Sequence, residues 1–242
     1  MTGIILAAGK SKRMGLPHSK VLLPLNGRPV LAWTIDLARK ANLNPIIVVI
    51  SPSGKEIKEK LSGDGIKFVI QPEAKGTADA VRVCDSLLSS NDDIFILYGD
   101  IPLLKSSTVK QLIDTFYREK ADVSLLTARL DDPVAYGRII RNKKNEIIAI
   151  TEYRDASEKV RKINEINTGV YVFRYSKLKP ILKSLQPSPI NGEYYLTTAL
   201  TEIINQGGKI TSVMTKTQNE SLGINTPEDW KKVCEVFVTE SN

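Results

Sequence analysis

Short apolar runs alternate with helical patterns along the first half of the chain, and this alternation limits the fold more than any other feature. Runs typical of strands buried on both faces of a sheet lie at residues 4–8, 46–50, 67–70 and 93–98. Helical patterns lie beside them at residues 29–41, 55–61 and 77–88, the last with Thr77 as its predicted cap. The alternation predicts an α/β fold, a Rossmann-like and mostly parallel mixed sheet with helices on both faces.

The second half of the chain has shorter strand patterns with polar connectors. These patterns lie at residues 123–130, 137–141, 146–150, 168–173 and 209–214. Helical patterns lie at residues 106–120, 176–184 and 194–205, and a last helix begins at Pro227. We expect a mixed extension of the same sheet, because no linker or internal repeat separates the two halves. The predicted organisation is one domain over residues 1–226, followed by a C-terminal helix over residues 227–242.

The positive charge of the chain is concentrated near its beginning. The net charge is +7, and residues 1–40 alone contribute +6 of it. An excess confined to one segment predicts a local site for a small anion, since nucleic-acid binding needs basic residues along a face with stacking aromatics. The single histidine excludes a multi-histidine metal site, and no apolar run reaches the roughly 18 residues of a membrane span.

Cysteine usage and the first residues bear on the compartment. The two cysteines lie far apart and form no disulfide framework, which fits a reducing environment. The sequence enters a strand pattern at once, which leaves no room for a signal peptide. We therefore expect a cytoplasmic protein with neither a nucleic-acid nor a membrane partner.

A loop of small and basic residues follows the first predicted strand. It begins with Leu6, Ala7, Ala8 and Gly9 and continues with the cations Lys10, Lys12, Arg13 and Lys20. Open α/β sheets bind ligands beyond the carboxyl ends of their strands, and backbone N–H groups together with cations suit a triphosphate. The loop is not a P-loop, because Ile4 stands where that motif needs glycine, and it lacks the Gly-x-Gly-x-x-Gly of a dinucleotide site.

Motifs along nearly the whole chain resemble those of one enzyme family. They are Leu6-Ala-Ala-Gly-x-x-x-Arg-Met with Lys20-Val-Leu, Gln71-x-x-x-x-Gly76-Thr77-Ala78, Tyr98-Gly99-Asp100-x-Pro102-Leu103, Tyr136-Gly137-Arg138-Ile139, Glu152-x-x-Asp155-Ala156, Glu165-Ile166-Asn167-Thr168-Gly169, Gly192-Glu193-Tyr194-Tyr195 and Gly223-x-Asn225. In this order they resemble the sugar-phosphate nucleotidyltransferases. Within that superfamily they resemble the uridylyltransferase domain of the bacterial bifunctional N-acetylglucosamine-1-phosphate uridylyltransferases/glucosamine-1-phosphate acetyltransferases. The chain departs from the family pattern at Ser11, where glycine is common, at His18-Ser19 and at Thr198.

The resemblance implies a nucleotidyltransferase that joins UTP and N-acetylglucosamine-1-phosphate and releases pyrophosphate. The attacking phosphate is already ionised at neutral pH, so the protein must chiefly supply positioning and charge neutralisation. By resemblance, the catalytic residues are Arg13, Lys20 and Asp100. By resemblance also, Asp100 and Asn225 hold Mg²⁺, an ion that prefers one or two carboxylates together with phosphate oxygens and water.

The same resemblance implies two sets of binding residues. The nucleotide set is Leu6, Ala7, Ala8, Gly9, Lys20, Gln71, Gly76, Thr77, Tyr98, Gly99 and Asp100, in a nucleotide-binding half over about residues 1–120. The sugar set is Gly137, Glu152, Asn167, Tyr195 and Thr197, in a sugar-binding half over about residues 121–226. Gln71 can donate and accept at once, which would match the O4 and N3–H edge of uracil.

Two alternatives stay open at this point. One is the same chemistry with another sugar-1-phosphate or with dTTP, and the other is a non-catalytic relative that only binds a sugar nucleotide. Retention of the implied metal and phosphate residues favours catalysis. The bifunctional relatives continue into hexapeptide repeats that trimerise, whereas this chain stops at Asn242. We therefore expect no acetyltransferase activity, and a monomer or weak dimer rather than a β-helix trimer.

Overall fold

The computed structural model describes residues 1–15, 18–133 and 135–241, without the side chains of Lys12 and Ser241. The strands are β1 (Thr2–Leu6), β2 (Pro24–Leu25), β3 (Arg28–Pro29), β4 (Ile46–Ile50), β5 (Ile66–Ile70), β6 (Asp93–Tyr98), β7 (Val123–Arg129), β8 (Gly137–Arg141), β9 (Ile147–Thr151), β10 (Glu165–Arg174) and β11 (Ile210–Met214). The α-helices are α1 (Val30–Lys40), α2 (Lys55–Leu61), α3 (Thr77–Arg82), α4 (Ser106–Arg118), α5 (Glu158–Arg161), α6 (Tyr175–Ser184), α7 (Leu196–Asn205) and α8 (Pro227–Ser241).

The strands of the described residues form one nine-stranded mixed sheet and a separate hairpin of β2 and β3. Strand β1 is parallel to β4 on one side and to β6 on the other, and β5 continues in parallel beyond β4. The antiparallel strand β10 joins β6 to β7, β11 is parallel to β7, and the β8–β9 hairpin extends from β10. Parallel pairs therefore predominate along the main path of the sheet, and the predicted fold class is confirmed.

Each face of the sheet has its own apolar core. Successive side chains of β1 and of the loop after it point to opposite faces, as they do in any strand. Ile4 and Leu6 are buried with residues of α3, α6 and α7, whereas Ile5 and Ala7 are buried with residues of α1, α2 and α4. All residues of β1 and β4 are buried, which explains why their sequences are continuous rather than alternating apolar runs.

Helix α3 differs from its prediction at both ends. It ends at Arg82 rather than near residue 88, and a 3-10 turn over Asp85–Leu87 follows. In that turn the Asp85 carboxylate accepts a hydrogen bond from the Tyr175 hydroxyl at 2.6 Å. The prediction that Thr77 caps α3 is wrong, because its Oγ1 accepts from the Leu196 N–H at 3.0 Å, at the start of α7. Both differences result from tertiary contacts that local propensity does not contain.

The remaining differences are the length of one strand and the presence of short elements that were not predicted. Strand β10 is longer than the predicted 168–173, and α5 and the β2–β3 hairpin lie in segments that were expected to be connectors. Helix α8 begins at Pro227, as predicted, and the rings of Trp33 in α1 and Phe237 in α8 meet edge to face with their centroids 4.7 Å apart. The division of the chain at residue 226 stays a prediction.

No helix of the described residues is both long and apolar enough to cross a membrane. The parallel strands β1, β4, β5 and β6 place their carboxyl ends at one edge of the sheet. The residues that follow these strands at that edge include Gly9, Gln71 and Asp100. This is the edge at which open α/β sheets bind ligands.

Candidate active site

The loop after β1 is fixed at its beginning and closed on itself further on. The Gly99 N–H donates to the Leu6 carbonyl at 3.0 Å, which joins the loop to the end of β6. Ser11 has φ +50°, in the left-handed region, and its Oγ accepts a hydrogen bond from the Lys20 N–H at 2.9 Å. Ser11 thus adopts a backbone conformation that glycine enters more readily, and its hydroxyl holds Lys20 close to the start of the loop.

Four residues implied for catalysis and metal binding meet at this loop. The Lys20 ammonium forms an ion pair with the Asp100 carboxylate, and each side chain is 14% exposed. The same ammonium donates to Asn225 Oδ1 at 2.9 Å, and Arg13 Nη2 donates to that oxygen at 3.0 Å. The sequence resemblance grouped these residues although they lie far apart along the chain, and the structure brings them together.

Asp100 and Asn225 fit a divalent cation by their chemistry and by their placement. Their backbones are joined, because the Ile224 N–H donates to the Asp100 carbonyl at 3.0 Å. Their side-chain oxygens both contact one cation, the Lys20 ammonium, so they lie within reach of a common positive centre. A carboxylate and an amide oxygen are hard donors of the kind that Mg²⁺ takes.

A cavity of about 660 Å³ opens at the same loop, where its lining includes Ser11, which binds the Lys20 backbone, and Ser19, which precedes Lys20. It lies between the loop after β1, which contributes Ala8, Gly9 and Lys10, and the loops after β4 and β5, with Gln71 among its lining residues. Its volume falls within the roughly 300–1,000 Å³ that is usual for small-molecule sites. The side chain of Lys12, expected with Lys10 to assist Arg13 and Lys20, lies outside what the structure describes.

The carboxamide of Gln71 is already engaged on one side. Its Nε2 donates to Asp79 Oδ2 at 2.8 Å and to the Gly76 carbonyl at 3.1 Å. The expectation that Gln71 both donates to and accepts from a base is therefore wrong for this arrangement, because both amide hydrogens have partners. Gly76 has φ +106°, and a Cβ there would lie 2.5 Å from the Tyr194 carbonyl oxygen, so this close approach requires glycine.

The residues implied for sugar binding also lie together. The Thr197 hydroxyl donates to Glu152 Oε1 at 2.8 Å. A Cβ placed on Gly137 would lie 3.6 Å from both Glu152 Oε2 and the Asn167 Cβ, so these three residues surround one point. Burial raises the pKa of Glu152, and the hydrogen bond from Thr197 opposes that rise in part.

Asn167 and Tyr195 have partners of their own. Asn167 Nδ2 donates to the Tyr171 hydroxyl at 2.6 Å, and its Oδ1 accepts from the Gly169 N–H at 3.3 Å. The Tyr195 hydroxyl accepts from Asn191 Nδ2 at 2.5 Å. Burial is the main cause that raises the pKa of Tyr195, and the charge of nearby Glu152 contributes. These contacts fix the two side chains beside the carboxylate.

Tyr98 ends β6, two residues before Asp100. Burial raises the pKa of its hydroxyl, and the charges of Glu152 and Asp100 add to the rise. Gly169 has φ +80°, and a Cβ there would overlap the Tyr98 ring. The glycine therefore leaves the space that Tyr98 occupies.

Two acidic residues of the site were absent from the sequence-based set. Asp229 Oδ2 accepts hydrogen bonds at 2.9 Å from the backbone N–H groups of Asn225 and Thr226, and the Asp229 N–H donates back to the Thr226 hydroxyl at 3.2 Å. This is a capping box, and its Thr-x-x-Asp spacing was visible in the sequence. Asp79 had only the i,i+3 spacing to Arg82 as a signal, and nothing local indicates its contact with Gln71.

Comparison with a solved structure agrees with the fold. The structure of UDP-glucose pyrophosphorylase complexed with UDP-glucose aligns with a TM-score of 0.80 over 99% of this chain and 98% of that chain, at 16% identity. At this identity the likeness concerns the fold alone, which is that of the nucleotide-diphospho-sugar transferases. At the carboxyl edge of its sheet, where such folds bind ligands, this chain brings together a carboxylate, an amide oxygen and two cations.

The sequence comparisons assign the family. Residues 3–163 match the MobA-like NTP transferase domain, and the chain belongs to that family. The "Bifunctional protein GlmU" of Caldanaerobacter subterraneus subsp. tengcongensis is 38% identical over 226 residues, 93% of this chain and 49% of that protein. The protein of the same name from Thermoanaerobacter pseudethanolicus is 38% identical over 223 residues, 92% of this chain and 48% of that protein. The chain therefore spans about half the length of the curated relatives it matches.

These matches confirm the resemblance to the uridylyltransferase domain of the bifunctional enzymes. They also confirm that the chain is a nucleotidyltransferase. Sugar phosphates and nucleotides are the substrates of the family, and a divalent metal is general among its enzymes.

Proposed function

We propose that this chain transfers a uridylyl group from UTP to N-acetylglucosamine-1-phosphate and releases pyrophosphate. The main support is the meeting of Lys20, Asp100 and Asn225 beside the cavity that Gln71 lines. Cations and oxygen ligands next to a compartment of this size suit a nucleoside triphosphate. Similarity to the GlmU proteins supports UTP and N-acetylglucosamine-1-phosphate, the pair implied by the motifs.

The proposed reaction forms one P–O bond and breaks another. An ionised oxygen of the sugar phosphate attacks the α-phosphorus of UTP, and the bond to the bridging oxygen breaks as pyrophosphate leaves. Lys20 and Arg13 oppose the negative charge of the phosphates and hold them in line for attack. When bound by Asp100 and Asn225, Mg²⁺ supplies further positive charge against the phosphate oxygens.

On the nucleotide side, most of the proposed contacts are made by backbone groups. The segment 6–9, together with Thr77 and Gly99, offers main-chain groups and little side-chain bulk where the nucleotide lies. Gly76 allows the backbone to approach the base, and Gln71 offers its Oε1 as an acceptor. Tyr98, next to Gly99 at the end of β6, is proposed to belong to the nucleotide side as well.

The sugar side is proposed to recognise hydroxyl and amide groups. Glu152 can accept from sugar hydroxyls with the oxygen that Thr197 leaves free, and Asn167 and the Gly137 backbone add polar groups nearby. Buried acceptors left unpaired by a wrong sugar cost free energy, which is a source of discrimination. Tyr195 is proposed to line the phosphate end of this group.

Three further features belong to the proposal. The metal is Mg²⁺, and the nucleotide-binding and sugar-binding halves meet near residue 120. The chain acts as a monomer or weak dimer without a nucleic-acid partner. The cytoplasm is the proposed compartment, because the two thiols are free.

The test is pyrophosphate release over a grid of substrates. UTP, dTTP, CTP and GTP are each paired with N-acetylglucosamine-1-phosphate and with glucose-1-phosphate, in Mg²⁺ or in EDTA. We expect a strong preference for UTP with N-acetylglucosamine-1-phosphate, and near-complete loss in EDTA. Equal turnover of glucose-1-phosphate would contradict the sugar assignment. If no substrate pair released pyrophosphate, the transferase proposal would be contradicted, and a relative that only binds a sugar nucleotide would remain.

A further inference from the structure

The orientation of the Gln71 carboxamide is decided by its neighbours. Asp79 Oδ2 and the Gly76 carbonyl, 2.8 and 3.1 Å from Gln71 Nε2, can only accept hydrogen bonds. The opposite orientation would place Gln71 Oε1 against two acceptors, which is repulsive. The network therefore fixes the nitrogen toward Asp79, independently of how well oxygen and nitrogen are distinguished.

Asp79 is itself held in place. It is 7% exposed, and its second oxygen, Oδ1, forms an ion pair with Arg82 Nη2 at 2.5 Å. The Arg82 guanidinium lies 4.7 Å from the centre of the Tyr194 ring, so the cation is fixed by a cation–π contact as well. Both carboxylate oxygens of Asp79 thus have a partner, Gln71 on one side and Arg82 on the other, and these contacts hold the side chain in place.

One atom of Gln71 is left for a ligand. Gln71 lines the cavity, and none of the residues that the structure describes donates a hydrogen bond to its Oε1. Position N3 of a pyrimidine is an N–H donor in uracil and thymine, and a bare acceptor nitrogen in cytosine. An acceptor fixed at this place pairs with the first two bases and repels the third.

We propose that Asp79 is a positioning residue for base selection, which holds Gln71 Oε1 as the acceptor that favours bases with an N3–H group over cytosine. The inference rests on the proposed function in that the cavity holds the base. It goes beyond it by naming the residue that decides which half of the Gln71 amide the base meets.

The test measures equilibrium binding, so it does not require turnover. Dissociation constants of UTP, CTP and 3-methyl-UTP are determined by calorimetry for wild type and Asp79→Asn. We expect wild type to bind UTP about 10- to 100-fold more tightly than CTP or 3-methyl-UTP, the range of one well-placed buried hydrogen bond. Asp79→Asn can present an N–H₂ group to Gln71, so the ratio of UTP to CTP affinity is expected to fall about fivefold or more.

Two further variants serve as a control and as a second test of the Asp79 contact. Asp36→Asn removes an ion-paired carboxylate of α1, outside the site, and keeps the wild-type ratio. Arg82→Ala removes a partly exposed side chain and with it the ion pair that holds Asp79. It is expected to lower the ratio of UTP to CTP affinity, as Asp79→Asn does. It replaces Asp79→Asn if circular dichroism shows that the latter is unfolded.

Each outcome decides the proposal. Equal binding of UTP and CTP by wild type overturns the proposal. So does a wild-type affinity for 3-methyl-UTP that equals the affinity for UTP. A variant that loses both nucleotides equally, with the ratio unchanged, also overturns it, since that is a structural effect only. Binding of neither nucleotide by wild type overturns it together with the proposed function. Selective binding of UTP that is lost in the variant, without pyrophosphate release by wild type, supports Asp79 and contradicts the transferase.

Discussion

The Lys20 ammonium forms an ion pair with Asp100 and at the same time donates to Asn225 Oδ1 at 2.9 Å. The two oxygens proposed to hold Mg²⁺ are thus in contact with a cation of the protein itself. A metal and this ammonium would compete for Asp100, because both are attracted to the same carboxylate. We expect the Lys20 ammonium to turn from Asp100 to the phosphates when the nucleotide binds. The same side chain would then pair with Asp100 in the free protein and with the phosphates in the complex.

The variant Asp100→Asn tests the metal assignment. It keeps the size of the side chain and removes the charge that is proposed to bind Mg²⁺. We expect kcat/KM to fall about 10²- to 10³-fold, as for the loss of one electrostatic group at a developing charge. The Mg²⁺ concentration for half-maximal rate is expected to rise. Pyrophosphate release over a Mg²⁺ titration measures both.

A matched substitution elsewhere controls for the lost charge. Asp114→Asn removes an exposed carboxylate of α4 that pairs with Lys110, and it is expected to keep the wild-type rate. A full rate in Asp100→Asn, or an equal loss in both variants, would contradict the role of Asp100.

Glu152→Gln tests the buried carboxylate of the sugar side by its pH dependence. Burial raises the pKa of Glu152 above its ordinary value of 4.5, so the folded protein binds the proton more tightly than the unfolded chain does. Stability from this group is fully present below pH 4.5 and is lost as the pH rises through the folded pKa. The variant lacks this titration. We therefore expect its Tm to exceed that of wild type by a margin that grows above pH 4.5.

The same variant is expected to bind sugar phosphate less well. Replacing a charged acceptor by a neutral one weakens each hydrogen bond from a sugar hydroxyl, and KM for the sugar phosphate should rise about tenfold. KM for UTP should stay near the wild-type value. A Tm difference that is constant from pH 4 to 8 would contradict the burial argument, and an unchanged sugar KM would contradict the binding role.

The ring of Tyr98 requires glycine at position 169, and a pair of alanine variants separates space from backbone strain. Gly169 and Gly192 have φ +80° and +74°, but a Cβ at 169 would overlap Tyr98 whereas one at 192 meets nothing within 4 Å. Gly192→Ala should lower the free energy of unfolding by about 1–2 kcal/mol, the cost of the left-handed backbone. Gly169→Ala should cost about 1–3 kcal/mol more, and denaturant titration measures both. Equal costs would show that the ring gives way freely.

Much of the central sheet could be predicted because its signals are local. Strand β4 and helix α2 have the predicted bounds, Ile46–Ile50 and Lys55–Leu61, since a buried parallel strand and a charged helix differ in pattern over a few residues. The end of α3 could not be predicted in this way. The 3-10 turn after it is held by Tyr175, which belongs to α6, and no pattern near residue 85 reveals that partner.

The residues of the site likewise differ in how far they could be predicted from the sequence. Lys20, Asp100 and Asn225 were predictable from motif resemblance, because their roles depend on residue type at a fixed place in the chain. The orientation of Gln71 was not, since it depends on Asp79 in the next helix and on the Gly76 carbonyl. Motifs thus identify which residues meet, whereas hydrogen-bond partners decide which atoms remain for the ligand.

Asp229 connects the C-terminal helix to the proposed metal site. Its carboxylate accepts from the N–H groups of Asn225 and Thr226, so the first turn of α8 holds the backbone from which the Asn225 side chain extends. Asp229→Ala should lower the free energy of unfolding by about 1 kcal/mol, the usual worth of a helix cap. It should also raise the Mg²⁺ concentration for half-maximal rate several-fold, because Asn225 is no longer held toward Asp100. Glu235→Ala, an exposed acidic residue of the same helix, should change neither quantity by as much. Loss of stability with an unchanged Mg²⁺ dependence would show that Asp229 caps the helix without positioning Asn225.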